Sequence, residues 1–75
     1  MQYDENYKIN ATIEAYFNRK IAIQIIRNCY DPKLTIHAVQ LLATAQATID
    51  SYWSYLTDEE KKQVISIVGT ENVAL

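Results

Sequence analysis

One glycine and one proline in 75 residues leave the chain almost without turn formers, which argues against many short elements and for a few long ones. A single cysteine excludes an intrachain disulfide, and a lone thiol suits a reducing compartment. A single histidine beside it excludes zinc sites of Cys/His spacing. There is no positive excess either: the net charge of −2 offers no general attraction to phosphate backbones or anionic lipid. No run approaches the roughly 18 apolar residues that span a bilayer, so no membrane segment is expected. Met1 to Glu5 has neither the positive nor the apolar region of a signal peptide, and the expected location is cytoplasmic.

These absences bear on stability. A chain of this size buries only about 60% of its unfolded surface, and without a disulfide or metal one small core rarely supplies more than about 3–5 kcal/mol. Stability is expected from well-formed helices, from association, or from both. Residues 1–75 are read as one helical domain with no linker.

What is present is helical patterning. Three helices are expected, at about 5–29, 32–56 and 58–68: an all-α, three-helix domain whose first two helices form a long antiparallel hairpin and self-associate into a helical bundle. The first begins at Asp4 or Asn10, both suited to N-caps. Ile9, Ile13, Tyr16 and Phe17 lie on one side of it, and Ala22, Ile23, Ile26, Cys29 and Tyr30 on nearly the opposite side. Such a helix touches two neighbours, a reading preferred here to a kink near Asn18-Arg19-Lys20. Asp31-Pro32 is the clearest break, with Asp31 as N-cap and Pro32 at the first helical position, or Thr35 as a second cap.

The second helix carries the strongest pattern. Leu34, Ala38, Leu41, Leu42, Ala45, Ile49, Tyr52 and Leu56 form one stripe, and no charged residue stands between Lys33 and Asp50. Solvated helix faces usually carry Lys and Glu; this one has His37, Gln40, Thr44, Ala47, Ser51 and Ser54, flanked by Val39, Ala43 and Trp53. Thr57-Asp58-Glu59-Glu60 reads as a capping box that opens the third helix. Val64, Ile65 and Val68, helped by Ile67, form its apolar side, and Gly69 ends it. The tail from Thr70 is unassigned, with Val73 and Leu75 able to pack down.

Chemistry is harder to find. His37 lies on the weakly polar face with no local Cys or Ser partner, and Cys29 reads as a small buried hydrophobe. Asp50 is the one carboxylate in a long uncharged stretch and reads as exposed at a helix edge; Glu5 and Glu14 have no second carboxylate at an acid–base spacing. The stretch Ala45 to Tyr52 resembles the Ser-Gln-x-Leu-Asp segment of small helical-hairpin aspartyl-phosphatases of sporulation relays. Ala45 stands where that segment has its serine, and the Gln46–Asp50 interval is one residue longer, which turns the carboxylate by about 100°; no activity is carried over from the resemblance. The expectation is therefore no enzyme, no cofactor and no metal. It is a protein-interaction module, a regulator, inhibitor or adaptor, with a protein partner and a homo-oligomer, a dimer first. Its expected partner or self-association surface is Ile36, Val39, Ala43, Trp53, Tyr16, Phe17 and Tyr30, aromatics being enriched in binding hot spots. The alternative is a helix-turn-helix-like nucleic-acid-binding regulator, but its seven basic residues are scattered among acids rather than clustered on one face.

Overall fold

A computed structural model of the protein describes residues 7–28 and 30–73. Four helices follow one another: α1 (Tyr7–Asn28), α2 (Pro32–Trp53), α3 (Asp58–Val68) and α4 (Thr70–Val73). No strand occurs among the described residues, and α1 with α2 makes the expected long hairpin.

The caps explain most of the boundaries. Asp31 holds extended geometry, and its carboxylate accepts from the Lys33 N–H at 2.9 Å, satisfying one of the donors that a helix start leaves unpaired. Pro32 follows at a position where a missing N–H costs nothing. Thr35 is not a cap: it lies inside α2, its hydroxyl donating to the Asp31 carbonyl. At α3 the capping box forms in both directions, Glu60 N–H to Thr57 Oγ1 and Thr57 N–H to the Glu60 carboxylate. Gly69 ends α3 at φ +91°, a conformation side chains disfavour, with its N–H donating to the Ile65 carbonyl.

Two boundaries differ from the sequence reading. α2 stops at Trp53 rather than near Leu56. Tyr55 and Leu56 bond back three residues, to the Tyr52 and Trp53 carbonyls, and this tightened turn leads into the extended Thr57 that α3 requires as its cap. Asn10 lies inside α1 rather than capping it. Asp4, Cys29 and Leu75 fall outside the described residues. The tail forms the short α4, and its Val73 packs against the core as expected.

α1 runs without interruption through Asn18–Lys20 and meets α2 as well as α3 and α4. It does so through one broad stripe, not two opposite ones: Ile9, Thr12, Ala15, Tyr16, Arg19 and Ala22 are its buried residues. Thr12 and Arg19 stand at the centre of that stripe. Neither is unsatisfied, since the Thr12 hydroxyl donates to the Lys8 carbonyl at 2.7 Å and Arg19 finds partners on other helices. Phe17, expected on the buried side, is exposed, because it lies about 140–160° round the helix from Thr12 and Arg19, at the centre of the stripe.

The core gathers at the end of the hairpin away from the turn. Ile9, Ala15 and Tyr16 of α1, Ala45 and Ile49 of α2, Leu56, and Val64 and Val68 of α3 form it, with Ile13, Trp53 and Val73 packed alongside. Ile67, expected to help, points outward from α3. Among the described residues between Lys20 and Thr44, the buried ones are Ala22 and Ala38. Leu34, placed on the core stripe by its periodicity, is exposed because no third helix reaches the turn. The whole is a slab of 40 × 31 × 16 Å.

Candidate interaction surface

The hairpin presents two broad faces. On the covered face, away from the turn, α3 and α4 lie against α1. A polar cluster fastens this end. Arg19, 5% exposed, donates to Gln46 Oε1 at 3.0 Å and to the Asn72 carbonyl, and its guanidinium lies 4.8 Å from the centre of the Tyr16 ring. Gln46 passes the contact on, donating to Asp50 Oδ1 at 3.0 Å. α1, α2 and α4 are thereby tied at one point. Burial pushes the Tyr16 phenol above its ordinary pKa; the Arg19 charge opposes this and Asp50 adds to it. Trp53 meets Tyr16 edge-on at 6.0 Å, while the Lys61 ammonium sits 5.7 Å from the centre of the Trp53 ring, a geometry that favours a cation over an aromatic face.

Two of the residues expected on a partner surface are consequently not available to one. Tyr16 is 4% exposed and Trp53 is half-buried against the core, because α3 folds back over the flank that both occupy. The remainder are exposed: Ile36, Val39, Ala43, Phe17 and Tyr30, the last almost fully. Ile36, Val39 and Ala43 lie on the outer flank of α2. Sequence reasoning missed Ile21 and Leu34, which are also exposed large hydrophobics beside the turn. Leu34 was hidden by its perfect place on a helical stripe, which shows only which residues share a face and not whether anything covers it.

The opposite, open face holds a groove of about 170 Å³ between α1 and α2, lined among others by Ala11, Ala15, Asn18, Leu41, Thr44 and Thr48. Of the described residues weighed for chemistry, Glu14 lines this groove. His37 is exposed, and Asp50 is exposed and engaged with Gln46. Among the described residues no group of three or more His, Cys, Asp or Glu side chains could hold a metal ion, and no helix is long and apolar enough to cross a membrane. No protein-family model, no curated protein and no solved structure matches the chain.

Proposed function

We propose that this protein is a small, non-enzymatic helical interaction module, a cytoplasmic regulator, inhibitor or adaptor that works by binding another protein and that associates with itself as a dimer. The observation that supports this reading is the concentration of exposed large hydrophobics at the turn end: Ile21, Leu34, Ile36 and Val39 are 48–59% exposed on a hairpin half with no covering helix. A single exposed leucine needs no explanation, but several large hydrophobics left in solvent at one end of a small protein support a contact site there. The proposed partner surface is the outer flank of α2, Ile36, Val39 and Ala43, with Tyr30 exposed at the turn and Phe17 exposed separately on α1 as further aromatic candidates.

The nucleic-acid alternative has less to draw on. Arg19 is buried and Lys61 lies over Trp53, so two of the seven basic residues are engaged inside the fold. Affinity capture from the native host tests the interaction reading. The wild-type chain should retain a specific protein that Val39→Glu and Ile36→Glu variants of unchanged helicity release. Equal retention by all three, or retention only of nucleic acid in a salt-dependent way, contradicts it.

A further inference from the structure

Arg19 is a cation that cannot shed its proton, yet it is only 5% exposed. A buried charge is costly unless hydrogen bonds and an opposite charge meet it. Its two hydrogen-bond partners are both neutral: the Gln46 amide oxygen at 3.0 Å and the Asn72 carbonyl. The negative charge stands one residue further on. Gln46 Nε2 donates at 3.0 Å to Asp50 Oδ1, and Asp50 is exposed on α2. The order Asp50, Gln46, Arg19, Asn72 thus runs from the surface of α2, through α1, to α4.

The middle of this path has one workable orientation. A guanidinium offers only donors, so the Gln46 amide must turn its oxygen to Arg19. An ionised carboxylate only accepts, so the same amide must turn its NH2 group to Asp50. The two ends agree, and each polarises the amide in the direction that strengthens the other bond. Beneath the rise that burial imposes on the Tyr16 phenol, Arg19 lowers its pKa and Asp50 raises it, so both charges act on one ring. The far end of the path is the shortest element of the fold. α4 has four residues, well below the roughly 12–15 at which an isolated helix begins to hold in water. Its Asn72 and Val73 N–H groups share the Gly69 carbonyl, at 3.1 and 3.3 Å. It therefore depends on holds from outside: Arg19, the packing of Val73, and the Asn72 side chain bonded to the Val68 carbonyl.

We infer that Asp50 governs how firmly α4 is held, acting through Gln46 and Arg19 as a positioning residue. With the carboxylate charged, the polarised amide is a stronger acceptor for Arg19 and keeps the guanidinium in place to donate to the Asn72 carbonyl. With the charge withdrawn, Arg19 has two neutral acceptors and no counter-charge along this path, and α4 loosens. The device makes α4 a strap whose hold is set from the surface of another helix. Asp50 lies seven residues beyond Ala43, about 10.5 Å along α2 and on nearly the same flank, so the relay begins where the proposed partner flank ends. The relay does not depend on the partner reading: it is tested on the chain alone, whereas capture of a partner tests the flank.

Amide exchange in the full chain, read by NMR at Asn72 and Val73, tests this. Asp50→Asn keeps an acceptor for Gln46 and removes the charge. It should speed exchange at both amides about two- to fivefold, the range set by the difference between charged and neutral hydrogen bonds, and leave Ile49 and Val64 unchanged. Gln46→Glu puts a carboxylate directly against Arg19 and a second one beside Asp50. In that background the Asp50 charge repels the group that holds Arg19, so adding Asp50→Asn should slow exchange at Asn72 and Val73. One substitution thus reverses its effect according to the residue between. In a Gln46→Leu background the path is cut, and Asp50→Asn should leave the α4 rates unaltered. Rates in α4 that ignore Asp50→Asn in the wild type, a change in the same direction in the Gln46→Glu background, an effect that persists with Gln46→Leu, or equal acceleration at Ile49 and Val64 overturns the inference.

Discussion

The two halves of one hairpin have opposite fates. Away from the turn, α1 and α2 bury Ile9, Tyr16, Ile49 and Leu56 beneath Val64 and Val68 of α3. Beside the turn, the described residues of the same two helices that are buried are Ala22 and Ala38, while Ile21, Leu34, Ile36 and Val39 stay in solvent. The turn half is no less apolar; α2 is free of charge from Leu34 to Ile49. What differs is the third layer. A pair of helices closes one seam between them, and a further element is needed before large side chains on the flanks leave water. Among the described residues that element is supplied at one end only, and the proposed contact surface lies at the other.

The largest effect should separate the halves. Ile49→Ala opens a cavity in a packed site and should cost about 2–5 kcal/mol, whereas Ile36→Ala, on an exposed flank, should stay within about 0.5 kcal/mol. Urea denaturation of both variants checks this, and comparable losses would dissolve the distinction. Next comes the fastening of the covered end. Arg19→Ala leaves the Gln46 amide oxygen and the Asn72 carbonyl without their donor and should cost about 1–3 kcal/mol, accompanied by faster amide exchange in α4. An unchanged midpoint would mean that α4 is held by Val73 alone. Thr57→Ala removes one side of the capping box that aims α3 at α1, and should cost about 1 kcal/mol in thermal unfolding while leaving the turn half unaffected.

The smallest effect is one of pH. Hydrogen bonding from the Thr57 backbone, helped by the Thr57 side chain and the Lys8 charge, holds the Glu60 carboxyl below its ordinary value of 4.5 against desolvation. Because the folded value is the lower one, the contribution is present above the ordinary Glu range and fades as pH falls through the folded value. An NMR titration of the Glu60 side chain should therefore have its midpoint below 4.5, and Thr57→Ala should raise it. A midpoint at or above the ordinary value would separate the carboxylate from the cap.

Local chemistry was legible in the sequence wherever its partners are close in the chain. Asp31 with Lys33, Thr57 with Glu60 and the Gly69 terminus all act within four residues, and each could be read from residue type and spacing. The buried side of α1 was not legible, because its centre is Thr12 and Arg19. Periodicity counts polar residues as solvated, so the stripe looked like two separate apolar sides. Arg19 is satisfied by Gln46 and by Asn72, 53 positions away, a partner that no local pattern reveals. Of the candidate surface, the exposure of Ile36 and Val39 followed from a charge-free helix with more apolar flank than one neighbour covers. Tyr16 and Trp53 were misjudged because α3 folds over them, and Leu34 because nothing folds over it. Cover is a tertiary fact, and a helical stripe carries no record of it.

Amide hydrogen exchange followed against protein concentration tests the contrast between the halves most directly. Exchange reports local opening, and covering by a second copy scales with concentration. Protection over Ile21–Ile26 and Leu34–Leu42 should rise from low to high micromolar protein, while the amides around Tyr16, Ile49 and Val64 stay protected throughout. Turn-half protection that is independent of concentration would contradict the account, for the exposed apolar half would then be finished as it stands.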